Sequence, residues 1–372
     1  MAGVHFSLVE VTPGVDGVFQ AIDAVHNLFE SETSCALVPK GADLAALHLD
    51  RPPFCNEPSL VLLTSGTTAN PRAVEIPLSA LAQSAESAAV HMRQMAVWLT
   101  ALPVTSMGGL NTIVRSALTG IEPVIWDGIG GVEKFEPENF VPFVKAVKTA
   151  SLKSNLASAV SLVPTQLFRL ALDESALTEL AELDFVLVGG GGLSESLKAE
   201  CAKAGVRLVS TYGATETVGG CVYNGEALGG YEIKIVDELV QIKSESLAWG
   251  YRDGQPLNGI WHSKDRGEIV DGKLRILGRS DSVIKVAGIS VDLQDLENQL
   301  QQRFPNQEIV VVGQSDQQYG FIPLVISNKE ISNISDVVNE VLKASLPVRF
   351  KCLPEIPMLP NGKPDRLAIA KN

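Results

Sequence analysis

The chain has 372 residues, too many for one ordinary hydrophobic core, so two or three domains are expected. A formal net charge of −13 argues against nucleic acid as a partner, because phosphate backbones bind positively charged surfaces. Absence of a bilayer-length apolar run argues against a membrane partner, and five cysteines without Cys-x-x-Cys spacing favour reduced thiols and no zinc site.

The N-terminal stretch lacks the basic start and apolar core of a signal peptide, which together with the cysteines predicts a cytoplasmic protein. Residues 1–56 hold short apolar pieces among Pro, Gly and acidic residues and are expected to form a peripheral layer. From 57 to about 220, strand-like runs alternate with helical ones, which is the pattern of an α/β domain.

The stretch 64–74 follows an apolar run that predicts a buried strand, and a helical pattern over 79–94 comes soon after it. It is therefore expected to be a strand-to-helix loop. Its hydroxyls, glycine and guanidinium belong to Thr64, Ser65, Gly66, Thr67, Thr68 and Arg72. Such groups suit a polyphosphate, although a plain polar connection has the same composition. The common P-loop is excluded because no Gly-Lys-Ser/Thr closes the stretch.

Four glycines, at 189–192, follow the apolar run 185–188 and precede a helix. Ser194 stands where a dinucleotide-binding loop has its third glycine, and no acidic residue ends the next strand. A dinucleotide site is therefore rejected. The glycines still indicate close approach of the backbone, either to a ligand or to a neighbouring strand.

The stretch 211–217 comes after a strand expected to end at Val209, and open α/β sheets bind ligands at the carboxyl ends of strands. Tyr212 offers a flat face for a base, Thr215 a hydroxyl, and Glu216 a carboxylate for Mg²⁺ beside phosphate oxygens. A turn with a solvated glutamate fits the same residues.

From 230 to 277 the sequence shows short alternating strands broken by glycine, which predicts a small antiparallel unit. Asp265 stands before an expected tight turn, where it can accept from both hydroxyls of a ribose or cap its own turn. The run 278–281 separates the small antiparallel unit from the residues that follow, and the last domain boundary is placed there.

Residues 282–372 read as a compact α+β unit whose tail, 359–366, is a turn of Pro, Asn and Gly that presents Lys363. A lysine at a loop tip is in most proteins simply solvated. The predicted fold class is α/β, with a large domain over 1–280 (α/β core 57–229, small β unit 230–277) followed by an α+β domain over 282–372.

Five of these segments, in this order, resemble motifs of the adenylate-forming superfamily of acyl-CoA ligases, peptide-synthetase adenylation domains and luciferases. The matching segments are the phosphate loop at 64–74, the adenine and magnesium motif at 212–217, the ribose motif at 265–268, the hinge at 278–281 and the catalytic-lysine motif at 360–366.

The resemblance implies that a small-molecule carboxylic acid is adenylated by ATP with Mg²⁺ and then transferred to CoA. It assigns catalysis to Lys363, Thr215 and Glu216, with Glu216 as the metal ligand, and makes residues 282–372 a mobile lid that turns about Asp281. The residues that it implies for binding ATP and CoA are Thr64, Ser65, Gly66, Thr67, Thr68, Arg72, Gly189, Gly190, Gly191, Tyr212, Gly213, Asp265, Arg279, Lys285 and Gly288.

The phosphate loop begins early in the chain, a compact form that resembles the 2-succinylbenzoate–CoA ligases of menaquinone and phylloquinone synthesis. The run 161–167 resembles them too. The residues that this places near the acyl group are Ser106, Ser161, Pro164 and Thr165. The chain departs from the family at Ala69 and Ala73, where glycine is usual, at Arg72, where lysine is usual, and at Ser106, where many ligases have histidine.

Two alternatives stay open at this point. One is an adenylating enzyme for another aryl or acyl acid that loads CoA or a carrier protein. The other is a catalytically idle nucleotide-binding homologue, suggested by the altered phosphate loop. A homodimer is a further expectation from the resemblance.

Overall fold

The computed structural model describes residues 6–64 and 71–371. Its helices are α1 (Val15–Glu30), α2 (Leu78–Met92), α3 (Met107–Thr119), α4 (Pro137–Ser154), α5 (Pro164–Ala171), α6 (Glu174–Ala181), α7 (Glu195–Lys203), α8 (Leu293–Arg303), α9 (Ile334–Leu342) and α10 (Arg366–Lys371). None of the helices in these two ranges has the length and apolarity required to cross a membrane.

The strands fall into five sheets. Those of the first half are β1 (Ser7–Val11), β2 (Cys35–Pro39), β3 (Ser59–Leu63), β4 (Ala73–Pro77), β5 (Ala96–Thr100), β6 (Val124–Ile125), β7 (Ala157–Leu162), β8 (Phe185–Val188), β9 (Leu208–Ala214), β10 (Gly219–Tyr223) and β11 (Glu226–Ala227). Those of the second half are β12 (Glu232–Val236), β13 (Leu239–Lys243), β14 (Gly250–Tyr251), β15 (Gln255–Pro256), β16 (Ile260–Val270), β17 (Lys273–Arg279), β18 (Val283–Val286), β19 (Ile289–Asp292), β20 (Ile309–Asp316), β21 (Gly320–Ser327) and β22 (Arg349–Cys352).

The first sheet has the order β1-β2-β3-β4-β14-β15, and its first three strands are parallel. The expectation that residues 1–56 form a peripheral layer is therefore wrong for the described ones. Helix α1 begins at Val15 and turns Val18, Val25 and Leu28 into the main hydrophobic core. Its apolar residues recur at helical spacing, and they bury against the sheet that β1 and β2 extend.

The expected strand-to-helix loop after β3 is also wrong, because the chain returns as a strand. Strand β4 pairs antiparallel with β3 in the register Leu63↔Ala73, and α2 begins only after Pro77. Thr64 and Arg72 close the base of this hairpin: the Thr64 amide donates to the Arg72 carbonyl at 2.8 Å, and the Arg72 amide donates to Thr64 Oγ1 at 2.9 Å. Burial on both faces of β4 explains why its short sequence lacks strand alternation.

The second sheet has the order β11-β10-β9-β8-β7-β5-β6, and β5 to β9 are parallel with helices between them. Side chains from both sheets meet in one core, for example Leu60 and Val74 from the first with Leu99 and Val186 from the second. The expected α/β class is thus confirmed. Strand β9 continues past the expected end at Val209 to Ala214, and Tyr212 pairs with Val222 of β10.

The four-stranded antiparallel sheet β12-β13-β16-β17 forms the small β unit expected from the sequence. Two of the strands in that stretch, β14 and β15, instead join the first sheet, where β14 pairs with β4. The expected tight turn at Asp265 is wrong. Asp265 lies inside the long strand β16 and faces Arg279 of β17 across the ladder.

The C-terminal residues pack around a core of their own, formed by the hairpin β18–β19, the sheet β20-β21-β22 and helices α8 and α9. Leu296, Leu300, Val325 and Val338 are fully buried there. Helix α10 follows the turn that carries Lys363 and packs on the other face of β20 through Ile369.

Candidate active site

The turn that carries Lys363 reaches across to the large domain and lies against the N-terminus of α5. The Leu359 amide donates to the Lys363 carbonyl at 2.7 Å and the Gly362 amide to the Leu359 carbonyl at 2.9 Å, which closes the turn. Thr165 Oγ1 donates to the Gly362 carbonyl at 2.5 Å. The lysine predicted from the sequence is therefore not solvated at a loop tip but held at a domain interface.

The Lys363 amine lies beside the glycines that follow β8. A Cβ built on Gly190 would come 3.1 Å from Lys363 Nζ and 2.9 Å from Cε, and Gly190 has φ +77°. Both the conformation and the contact require glycine at this position. At Gly189 the near neighbour is instead Thr211 of β9, and at Gly191 it is Pro164. The missing side chain thus allows close packing at Gly189 and Gly191, and at Gly190 it leaves room for the lysine.

The surroundings of Lys363 disfavour its charge. Burial lowers the pKa of the amine below the usual lysine value of 10.5, and the nearby Arg279 cation lowers it further. No carboxylate among residues 6–64 and 71–371 forms an ion pair with Lys363, and a buried cation of this kind is stabilised when an anion arrives. Such a site suits the phosphate and carboxylate oxygens of a reaction that develops negative charge.

Tyr212, Asp265 and Arg279 are brought together from three strands. Tyr212 Oη donates to Asp265 Oδ2 at 2.7 Å, and Arg279 Nη1 lies 3.4 Å from Asp265 Oδ1. Burial and the Asp265 carboxylate raise the pKa of the Tyr212 phenol, so it stays a neutral donor. The half-buried aromatic face and the oriented carboxylate have the chemistry to receive a base and its ribose.

Glu216 is buried directly after β9, one residue beyond Thr215, which is buried too. Tyr251 Oη donates to Glu216 Oε1 at 2.7 Å, and the Glu216 carbonyl accepts from the Ala248 amide at 2.9 Å. In the described part of the chain, Oε2 accepts no hydrogen bond. One oriented carboxylate with one uncommitted oxygen fits Mg²⁺, which takes one or two carboxylates and completes its shell with water and phosphate. No cluster of three or more acidic, His or Cys ligands exists among the described residues.

Arg72 is held by the hairpin β14–β15. Its Nε and Nη2 donate to Asp253 Oδ2 at 2.9 and 2.7 Å, Nη2 also donates to Gln255 Oε1 at 2.7 Å, and the guanidinium lies 3.4 Å from the centre of the Tyr251 ring. Ser65, Gly66, Thr67, Thr68 and Ala69 lie outside the described residues, and only Thr64 and Arg72 of the expected phosphate loop can be placed.

The four residues expected near an acyl group lie in different elements and make different local contacts. Ser106 is the N-cap of α3 and its Oγ donates to the Pro103 carbonyl at 2.8 Å. Ser161 is half-buried in β7, and Pro164 is the first residue of α5. Thr165 uses its hydroxyl on the lysine turn, so it contributes to docking of the small domain.

The remaining expected residues lie at the domain boundary or beyond it. Asp281 forms two hydrogen bonds with Arg279, at 2.7 and 2.8 Å, which lower the pKa of the Asp281 carboxyl. Gly213 packs so closely on Gly219 of β10 that a side chain would not fit. Lys285 and Gly288 are exposed on the hairpin β18–β19, with Gly288 at φ +84°.

Sequence reasoning missed the hairpin that carries Tyr251, Asp253 and Gln255. Asp253-Gly254 is a turn signal that the sequence does contain. What it cannot indicate is that β14 pairs with β4, which lies about 175 residues earlier and starts directly after Arg72.

The fold and the site together define a nucleotide-using enzyme whose small domain delivers a lysine to the sheet edge of the large one. The AMP-binding enzyme family matches residues 20–243. The chain is 33% identical over 273 residues to a probable 2-succinylbenzoate–CoA ligase of Mycobacterium tuberculosis, covering 70% of this chain and 68% of that protein. It is 27% identical over 377 residues to the 2-succinylbenzoate–CoA ligase of Escherichia coli, covering 95% and 76%.

Solved structures of o-succinylbenzoate CoA synthetase from Bacillus subtilis share the fold. The complex with the acyl-adenylate intermediate has a TM-score of 0.75 at 20% identity, covering 99% of this chain and 88% of that one. The complex with ATP and magnesium ion has a TM-score of 0.74 at 19% identity, covering 100% and 90%. The chain belongs to the AMP-binding enzyme family.

Proposed function

We propose that this protein is an AMP-forming acid–CoA ligase that converts 2-succinylbenzoate into 2-succinylbenzoyl-CoA. The position of Lys363 against Gly190, on the same sheet edge as Tyr212 and Glu216, is the observation that carries the adenylation step. The names of the two relatives, and the large share of each sequence that the match covers, support the choice of acid and of acceptor.

In the first half-reaction, a carboxylate oxygen attacks the α-phosphorus of ATP and the bond to the bridging oxygen of pyrophosphate breaks. The products are the acyl-adenylate and pyrophosphate. Lys363 stabilises the negative charge on the carboxylate and α-phosphate oxygens. Because such reactions need little covalent help from protein, position and charge supply most of the rate.

In this proposal the nucleotide is held by residues from several strands and loops. Tyr212 stacks on the adenine, with the backbone of Gly189, Gly190 and Gly191 on its other side. Asp265 and Arg279 bind the ribose, and Thr64 and Arg72 stand at the base of the loop for the outer phosphates. Glu216 would hold Mg²⁺ through Oε2, to which none of the described residues donates. When bound, that ion neutralises charge on the phosphate oxygens.

In the second half-reaction, the sulfur of CoA attacks the acyl carbonyl, AMP leaves with the bond electrons, and the thiol proton passes to water. The lid over 282–372 turns about Asp281, removes Lys363 and brings Lys285 and Gly288 to the CoA. The separate hydrophobic core of the C-terminal residues supports a rigid-body rotation, since a few hinge residues can absorb it.

The decisive test separates the two half-reactions. The wild-type protein with ATP, Mg²⁺, CoA and 2-succinylbenzoate is expected to form the thioester, detected by mass spectrometry, and to release pyrophosphate. Lys363→Ala is expected to lower pyrophosphate release by about a hundredfold or more, as for other lost electrostatic contacts in a transition state. It should convert supplied acyl-adenylate and CoA to thioester at nearly the wild-type rate.

Lys351→Ala is the matched control, because Lys351 is an exposed lysine of the same domain. Equal loss of both half-reactions in Lys363→Ala would contradict the division of labour. Pyrophosphate release with another aryl or acyl acid, or acyl transfer to a carrier protein and not to CoA, would redirect the proposal to the alternative substrate or acceptor. Absence of pyrophosphate release with every acid tested would favour an idle homologue.

A cytoplasmic location and a homodimer stay predictions. The first is supported by five cysteines that form no disulfide in the structure. Light scattering of the purified protein tests the second.

A further inference from the structure

The hairpin β14–β15 contacts two side chains of the site, Arg72 and Glu216, that lie far apart in the sequence. Arg72 directly precedes β4 in the first sheet, whereas Glu216 follows β9 in the second sheet. Tyr251 contacts both. Its hydroxyl donates to Glu216 Oε1 at 2.7 Å, and its ring lies 3.4 Å below the Arg72 guanidinium.

The backbone fixes Tyr251 within the first sheet, between β4 and β15. Tyr251 pairs with Val74 of β4 on one side and with Gln255 of β15 on the other. The next amide, that of Arg252, donates to the Ala73 carbonyl at 2.9 Å. Strand β4 starts directly after Arg72, so the arginine and the ring that it covers are carried by neighbouring strands of one ladder.

The side chains then determine which atoms stay available. Glu216 Oε1 is committed to the phenol, and among the residues 6–64 and 71–371 no group donates to Oε2, which can therefore face a cation. On Arg72, the Nε and Nη2 donors go to Asp253 and Gln255, whereas Nη1 donates to none of the described residues and can face a phosphate. Contact with an aromatic face and a bidentate fork are the uses for which arginine, and not lysine, is suited.

We propose that Tyr251 is a positioning residue of the adenylation step, which fixes the Glu216 carboxylate for a divalent cation and the Arg72 guanidinium for the phosphates bound to that cation. The inference rests on the proposed function, in which Glu216 binds the metal. It gives a reason for arginine at position 72: a lysine offers no planar group to stack on the ring.

The test measures cation binding without turnover. Mn²⁺ replaces Mg²⁺, an ATP analogue with a methylene between the α- and β-phosphorus replaces ATP, and free Mn²⁺ is counted by electron paramagnetic resonance. Tyr251→Phe keeps the ring and removes only the hydroxyl, so binding of Mn²⁺ to the protein–analogue complex is expected to weaken about tenfold, as when an outer partner of a metal ligand is lost. Tyr251→Leu removes ring and hydroxyl, and affinity for the analogue itself is expected to fall as well.

Tyr223→Phe is the matched control. Its phenol is also buried and hydrogen-bonded, to Arg115 at 2.9 Å, but it lies outside the proposed site. In Tyr251→Phe, steady-state kinetics should show a raised requirement for Mg²⁺ in pyrophosphate release, whereas thioester formation from supplied acyl-adenylate should be unchanged.

Mn²⁺ affinity in Tyr251→Phe within twofold of wild type, or equally weakened in Tyr223→Phe, would overturn the inference. Failure of the wild-type complex to bind Mn²⁺ would overturn the metal role of Glu216 and the inference with it. Because the measurement contains neither acid nor CoA, a wrong choice of acyl substrate leaves its result intact, and weaker Mn²⁺ binding would support the inference even then.

Discussion

Lys363 shows how a single residue acquires its chemistry from neighbours that are remote in the chain. The pKa of the amine is lowered because the turn 359–363 buries it beside Gly190 and near the positive charge of Arg279. The same lysine on an exposed turn would keep the pKa of a free side chain.

The lowered pKa predicts the pH dependence of adenylation. In the proposed mechanism protonated Lys363 is the active form, so kcat/KM for ATP should fall as pH rises through a pKa that lies below 10.5. This ratio is the one to measure, because it reports the pKa of the free enzyme, before phosphate charge raises it again. Pyrophosphate release without CoA, followed from neutral to alkaline pH, gives the profile.

In that experiment, Lys363→Arg distinguishes the effect of losing the positive charge from the effect of moving it. An arginine keeps its charge throughout the accessible pH range, so the variant should be slower but should lose the alkaline decline. A decline that persists unchanged in Lys363→Arg would assign it to another group.

At the scale of secondary structure, the site depends on two short connections at the carboxyl end of the second sheet. The one after β7 leads into α5 and supplies Thr165 to the lysine turn, and the one after β8 supplies Gly190. Adjacent parallel strands place these connections side by side, which is why open α/β sheets bind ligands at this edge.

Gly190→Ala tests this placement. The new Cβ would stand 3.1 Å from Lys363 Nζ, which requires the amine to shift by a few tenths of an ångström. Because misplacement of a reacting group by such distances is costly, adenylate formation is expected to fall by about ten- to a hundredfold. Thioester formation from supplied acyl-adenylate should change far less.

Gly205→Ala is the control for backbone strain. Gly205 has φ +83°, close to the +77° of Gly190, but its added Cβ would meet nothing within 4 Å. Both variants lose about 1 kcal/mol to the left-handed conformation, measured as a lower melting temperature. If both lowered adenylation equally, strain and not contact with Lys363 would be the cause.

At the scale of the whole molecule, ion pairs between the two domains hold the small domain in its docked position. Arg169 of α5 pairs at 2.8 Å with Glu308, the residue directly before β20, and the two side chains are only 17% and 12% exposed. Nearer the hinge, Arg266 of β16 pairs with Asp292 of β19. The proposed mechanism, in which the lid leaves after adenylation, needs contacts of this modest strength, because a large apolar interface would oppose release of the lid.

The Arg169–Glu308 pair is therefore expected to bias the lid toward the adenylating position. Arg169→Gln should weaken docking by about 1–2 kcal/mol, roughly five- to thirtyfold in the equilibrium, because it leaves a partly buried carboxylate without its partner. The rate of pyrophosphate release should fall accordingly, with thioester formation from supplied acyl-adenylate unchanged or faster.

Exchange of the two charges, Arg169→Glu with Glu308→Arg, should recover most of the loss. Glu340→Gln removes a pair with Arg303 inside the small domain, whose side chains are 66% and 45% exposed, and should have little effect. Failure of the exchanged pair to recover activity would point to other contacts of Arg169, such as its bond to the Phe135 carbonyl.

The sequence by itself determined the elements with a strong local signature. The apolar runs of β5, β7 and β8 and the amphipathic α2 and α4 follow from spacing and residue type, because periodicity and turn chemistry are local properties. The order of five short motifs carries the resemblance to the adenylate-forming superfamily. Tertiary structure alone decided the rest. Strand β4 is too short and too buried to alternate, and Asp265 became part of a strand through pairing with β17. Residues 6–56 joined the large domain through pairing of β2 with β3 and burial of α1 in the core. The pairing of β14 with β4 and the docking of the Lys363 turn on α5 join segments about 175 and 200 residues apart, and such contacts depend on free energies of packing that no local pattern encodes.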